Sequence, residues 1–180
     1  MKKSLARVVL VFPLALLLCL AFGCQKKPEE AAVKAMVPVV NLEAEKTAVK
    51  AVIDQYMQSW KTKDMEAFSK VVAHDSDMIN FGTDAAERWV GWESLKDSME
   101  RQNKSINFEV ISIRDEVIKV HNSGEVAWVS ATCDAKGKAQ GQPFSMEGWR
   151  VTAVLEKRAG SWVIVQFHIS VPVAGQAVKY

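Results

Sequence analysis

The 180-residue sequence predicts a single α+β domain, and two changes in pattern carry that expectation. From Glu43 to about residue 105, apolar residues recur mostly at helical spacing. After Ser105 the period falls to two and stays there to Pro172, which describes segregated helices and an antiparallel meander. The composition permits a packed core: 49% of residues are hydrophobic, 24% are charged, and 9 Gly with 5 Pro exclude a low-complexity chain. The formal charge of +2 reflects the N-terminus, because residues 25–180 alone carry a net −1. A near-neutral domain gives no electrostatic case for a nucleic-acid partner.

Each element has its own signature. Val49, Val52, Ile53, Tyr56, Met57 and Trp60 line one face of a long amphipathic helix, with Lys46, Lys50, Asp54 and Gln58 opposite. Asp64 suits the N-cap of a shorter helix carrying Met65, Phe68, Val71 and Val72. A third helix follows Gly91, with Trp92, Leu95 and Met99 on one side. Between these helices, 78–82 and 88–90 read as short strands. Four longer strands are expected near 106–120, 125–136, 144–157 and 162–172, with a polar loop from Gly137 to Pro143.

Residues 1–24 read as an export address. Lys2, Lys3 and Arg7 precede the apolar run Val8–Leu20, which is short for a membrane span. The run closes on Leu20-Ala21-Phe22-Gly23-Cys24, which resembles the lipobox of bacterial lipoproteins. That resemblance implies lipidation of Cys24, a bacterial cell-envelope location, and membrane contact through the lipid alone. By the same analogy Gln25 implies sorting to an outer membrane facing the periplasm, where the organism has one. Residues 25–42 then form a tether and 43–180 the domain. With Cys19 removed and Cys24 lipidated, Cys133 is the remaining thiol, so no internal disulfide is available.

Four stretches are distinctive: Trp60 with Asp64; Phe81-Gly82-Thr83-Asp84 leading to Trp89-Val90-Gly91; Gly148-Trp149-Arg150-Val151-Thr152; and Gly160-Ser161-Trp162 with Phe167-His168-Ile169-Ser170. Together they resemble the SnoaL-like branch of the nuclear transport factor 2-like superfamily, over nearly all of 43–172. The last stretch is also similar to the closing strand of the association domain of calcium/calmodulin-dependent protein kinase II. The resemblance implies a cone-shaped fold in which three N-terminal helices pack on a curved, mostly antiparallel sheet. It places the kinase domain's pocket arginines at positions matching Ala153 and Ile169, which points here to an apolar cavity.

Strand alternation assigns the two faces of the sheet. The inward set is Ala127, Val129, Ala131 and Cys133; Trp149, Val151, Ala153 and Leu155; and Val163, Val165, Phe167, Ile169 and Val171. Burying each large member stabilises the fold by about 1.5–3 kcal/mol. The expected pocket wall is therefore Tyr56, Trp60, Phe81, Trp92, Cys133, Trp149, Val151, Phe167 and Ile169. The outward set, Trp128, Arg150, Thr152, Trp162 and His168 with Ile164 beside them, would form an aromatic patch suited to a homodimer.

Chemical signals are sparse. No metal-ligand cluster or nucleophile motif is present, and neither a metal nor a cofactor is expected. Glu147 shares the inward parity of Trp149 and is a candidate general base, unless it reaches water at the strand end. Asp77 stands either at a turn or at the cavity mouth. His168 reads as an outward hydrogen-bonding group that a slip in parity would carry into the pocket. Three functions follow. They are a membrane-tethered binder of a small apolar or amphipathic ligand, a cofactor-free isomerase or dehydratase, and an assembly module whose cavity is merely filled.

Overall fold

The computed structural model describes residues 40–176 and 178–179. The export segment with Cys24, and the tether up to residue 39, lie outside the described residues.

Helix α1 (Leu42–Thr62) starts one residue before its expected position, because Asn41 caps it by accepting the Ala44 N–H at 3.1 Å. Val49, Ile53 and Tyr56 form its buried stripe. Asp64 caps α2 (Met65–Val71) through bonds from the Glu66 and Ala67 N–H groups. Strands β1 (Ile79–Phe81) and β2 (Arg88–Val90) pair with each other, and Gly91 then turns the chain into α3 (Trp92–Ser105). Four long strands complete the domain: β3 (Ile106–Val120), β4 (Val126–Ala139), β5 (Gln142–Arg158) and β6 (Ser161–Ser170).

The six strands form one mixed sheet in the order β2-β1-β6-β5-β4-β3. All neighbours are antiparallel except β1 and β6, which run parallel. The expected loop from Gly137 to Pro143 is shorter than its composition suggests. The β4–β5 ladder continues to Ala139↔Gln142, leaving Gln140-Gly141 as the turn at φ 50° and 83°. Two successive positive φ values match the twist of a tight hairpin.

The helices cover one face of this sheet, with α1 against β3 and β6 and α2 against β6. Phe68, Ile53, Met99, Leu155, Ile164 and Val129 are the largest side chains sealed between the layers. On β4 the expected alternation holds: Ala127, Val129, Ala131 and Cys133 are buried, while Trp128 is 48% exposed.

Bulges break the alternation elsewhere. On β6, Val154 pairs with Gln166 and Leu155 with Ile164, so Val165 is an extra residue and the facing side chains change parity across it. Phe167 stays inward as expected, but Trp162 and Ile164 do not belong to the outward face. Trp162 is 5% exposed and Ile164 fully buried, whereas Val163 and Val165 are half-buried. The indole of Trp162 tolerates burial because its Nε1–H donates to Glu45 Oε2 at 2.8 Å. Lys157 donates to the other oxygen of that carboxylate at 2.6 Å.

On β5, Cys133 pairs with Trp149 and Ala135 with Met146, so Glu147 and Gly148 together oppose Asp134. Gly148 takes φ 65°, a left-handed value that a Cβ disfavours. Its N–H donates to Asp134 Oδ1 at 2.7 Å, and Arg114 holds the same carboxylate through two bonds of 2.7 and 2.8 Å. Glu147 is consequently turned out and exposed, contrary to its expected inward parity. Arg114 foremost, then the Gly148 amide, holds the Asp134 carboxyl below its ordinary range.

Candidate functional site

The inner face and the helices leave an apolar cavity of about 510 Å³. Tyr56, Met57 and Trp60 contribute one wall from successive turns of α1. Cys133 and Ala135 from β4 form the floor, with Met146 and Trp149 from β5 on one side and Ile111 from β3 on the other. The β5 bulge brings both Met146 and Trp149 to this wall although they are three positions apart in sequence. Phe108 and Phe144 meet edge to face at 5.6 Å near one end. Phe167 stacks obliquely on Tyr56 at 4.6 Å at the other.

The β1–β2 connection stands at the cavity rim. Glu87 Oε2 accepts from the Thr83 N–H at 2.6 Å, the Asp84 N–H at 3.1 Å and the Thr83 hydroxyl at 3.2 Å. A Cβ on Gly82 would collide with the same carboxylate oxygen and with the Trp89 ring at 2.6 Å. This carboxylate is therefore committed to holding its own turn.

Among the described residues, no lysine, arginine or histidine lines the cavity. Burial pushes the Tyr56 phenol above its usual range, opposed by a hydrogen bond from Trp60. Burial likewise pushes the Cys133 thiol up to about 11. Both groups are neutral at physiological pH, so the deep wall carries no formal charge. Among the described residues, no group of three or more His, Cys, Asp or Glu side chains is placed to hold a metal ion.

Six residues expected at the pocket wall lie there: Tyr56, Trp60, Cys133, Trp149, Phe167 and Ile169. Phe81 only borders the cavity, because Asn80 takes the inward position of β1 and leaves the Phe81 ring 40% exposed beside His168. Two others lie elsewhere. Trp92 is stacked between Phe68 at 5.8 Å and His74 at 4.1 Å, where α2 and α3 meet. Val151 is 1% exposed and sealed in the core beside Ala131 and Ile169. Val151 has the inward parity and Trp92 faces inward from α3, but both lie where helix packing fills the space rather than where the cavity stays open.

The three candidate chemical groups are not brought together. Glu147 and Asp77 are exposed. His168 is half-buried on the opposite face, with Nδ1 3.4 Å from the Thr152 hydroxyl and its ring edge-on to Phe81 at 6.1 Å.

The cavity also contains a polar residue that the strand pattern did not single out. Asn80, from β1, is 2% exposed and accepts the Phe167 N–H through Oδ1 at 2.9 Å. The available signal was its position between Ile79 and Phe81, an amide at an inward position of an otherwise apolar strand.

Comparison with known proteins agrees with this architecture. A family model described as a SnoaL-like domain matches residues 49–174. An NTF2-like protein of unknown function from Pseudomonas putida has 17% identity and a TM-score of 0.61, over 76% of this chain and 93% of its own. A candidate dehydratase of the NTF2-like family from Streptomyces avermitilis has 15% identity and a TM-score of 0.63, over 73% of this chain and 99% of its own. A candidate calcium/calmodulin-dependent protein kinase II association domain from Xanthomonas campestris has 19% identity and a TM-score of 0.58, over 69% and 85% respectively. No curated protein matches the chain. At these identities the solved structures establish the NTF2-like fold, three helices against a six-stranded mixed sheet. The family match extends from the middle of α1 to beyond the end of β6, and on that ground the chain belongs to the SnoaL-like domain family.

Proposed function

We propose that this protein is an exported, lipid-anchored binder that holds a small, uncharged, apolar or amphipathic molecule in its cavity. The cavity carries the reading: about 510 Å³, walled mostly by aromatic and aliphatic side chains and, among the described residues, without a basic one. Ligand sites of this kind fall in the range of roughly 300–1,000 Å³. Binding is favoured over turnover because Glu147 and Asp77 are exposed and Glu87 is held by its own turn. Native mass spectrometry of the purified full chain tests this directly. The expected result is a bound small molecule, or uptake of an added neutral aromatic such as N-phenylnaphthylamine. A chain that remains empty with every neutral aromatic offered contradicts the reading.

The anchor rests on Leu20–Cys24, and a Cys24→Ser variant is expected to leave the membrane fraction and lose the acyl mass. A homodimer through the outer sheet face is proposed as well, in a form changed by the β6 bulge. Trp128 remains its apolar centre at 48% exposed, with Val117 at 49% beside Arg150, Thr152 and His168, and without Trp162. A two-fold contact would place this face against its own copy.

A further inference from the structure

The end of the domain at the β4–β5 turn is basic. Helices α1 and α3 both finish there: Lys63 Nζ donates to the Asn103 carbonyl at 2.8 Å, and the Gln140 N–H donates to the Ser105 carbonyl at 2.8 Å. These bonds gather Lys61 and Lys63 at the end of α1, Arg101 and Lys104 on α3, and Lys136 and Lys138 on β4, all exposed. Among the described residues, none of these six cations is in an ion pair. Complementing the two helix C-termini accounts for Lys61, Lys63 and Lys104, but not for Lys136 and Lys138, which stand on a strand. The carboxylates nearby are Glu100, Glu109 and Asp64, the last committed to capping α2, so this end keeps a positive balance. The opposite end differs, because Lys46, Lys157 and Arg158 are each bonded there to Glu43, Glu45, Asp75 or Glu156. The cavity reaches the basic end as well. Gln102, Ile106, Phe108, Ala139, Phe144 and Ser145 line it from there, and none of them is fully buried.

We infer that this end docks on the anionic headgroups of a phospholipid bilayer and brings one rim of the cavity to the membrane surface. The inference rests on the reading of the chain as a membrane-tethered binder of apolar molecules. Each exposed lysine or arginine near such a surface is drawn to its negative potential, and the attraction accumulates over a cluster. Phe108 and Phe144 give the rim the apolar component that an interfacial surface pairs with its cations. Nucleic acid and acidic polypeptides offer the same charge, but no apolar phase with which the cavity could exchange its guest. A rim held at the headgroups shortens the path of that guest between lipid and protein, without exposing it to water.

The test reconstitutes the full chain in vesicles of phosphatidylcholine, alone or mixed about two to one with phosphatidylglycerol, and maps lysine acylation by acetic anhydride with mass spectrometry. A surface potential of about −30 mV concentrates protons about threefold, so Lys63, Lys104 and Lys138 should react about threefold more slowly on the anionic vesicles. Lys46 lies about 22 Å back along α1 from Lys61, beyond a Debye length of about 10 Å, and should react equally on both. Salt at about 1 M should abolish the difference. Lys104→Glu combined with Lys138→Glu, both at exposed positions, should abolish it at Lys63 and leave the melting temperature unchanged. Should that pair not fold, the wild-type comparison and the salt dependence still decide. Equal reactivity on the two vesicle types, with the chain carried by both, overturns the docking and leaves the binder reading intact. Slowing at Lys46 instead of Lys104 and Lys138 overturns it too. Polyglutamate added to the neutral vesicles represents the competing partner, and slowing of the same lysines as large as that on phosphatidylglycerol overturns the lipid assignment. A chain without an acyl group that neither vesicle carries overturns the docking together with the anchor.

Discussion

A substitution on the cavity floor separates a real void from a merely loose core. Ala135 is 1% exposed and lines the cavity, between Ile111 on β3 and Met146 on β5, the latter a flexible side chain. Ala135→Leu adds three carbons. If the space beyond the floor is open, each added carbon gains about 0.8 kcal/mol on burial, so the upper bound is about 2.4 kcal/mol. A domain of this size moves by about 3–4 °C per kcal/mol, so the melting temperature should rise by up to about 10 °C. If the floor is already packed, the same change overfills it and costs about 1–3 kcal/mol. The two cases therefore differ in sign. Differential scanning calorimetry at neutral pH reads that sign, and N-phenylnaphthylamine fluorescence reads the accompanying loss of binding. A melting temperature that falls by several degrees, with binding retained, refutes the description of the cavity.

Other perturbations probe the supporting structure. Gly148→Ala forces a Cβ into φ 65° and should destabilise by about 1–2 kcal/mol, with Gly148→Asn costing less; thermal melts of the pair check the ordering. Glu45, Asp75 and Asp134 have folded carboxyl pKa values held down, chiefly by Lys157, Arg158 and Arg114 respectively. A depressed folded pKa contributes stability above the unfolded value near 4 and loses it as pH falls through the folded value, so melting temperature should drop steeply below about pH 4. Glu45→Gln should lower neutral-pH stability by about 1–2 kcal/mol and flatten that acid limb, because it removes the ion pair with Lys157. Trp128→Glu should convert the proposed dimer to a monomer in light scattering without lowering the melting temperature of the monomer; a wild type that is already monomeric contradicts the dimer.

Much of the fold was legible because its signals are local. The α1 stripe ending at Trp60, the Asp64 cap and the turn into α3 at Gly91 each depend on neighbours within a few residues. The parity of Ala127–Cys133 was also readable, since β4 runs without a bulge across that stretch. Trp162 was misplaced, and the inward parity of Glu147 gave way to its alternative position in water, for one shared reason. An extra residue reverses the alternation, and on β6 it is Val165, whose side chain suits a regular strand as well as a bulge. On β5 a clue was present, because glycine inside a strand often marks a bulge, and Gly148 does so here. Trp92 and Val151 show a different limit: helical spacing for the one and strand parity for the other name the inner side, whereas helix docking decides which part of that side stays open. Asn80 was the least legible, because its role depends on a bond to a backbone amide 87 residues away.

Whether the cavity accepts an uncharged guest is tested most directly by an equilibrium titration of the full chain with N-phenylnaphthylamine. A saturable rise in emission at one probe per chain, displaced by acetylnaphthalene, is the predicted result. A linear, unsaturated signal that acetylnaphthalene leaves unchanged would contradict it.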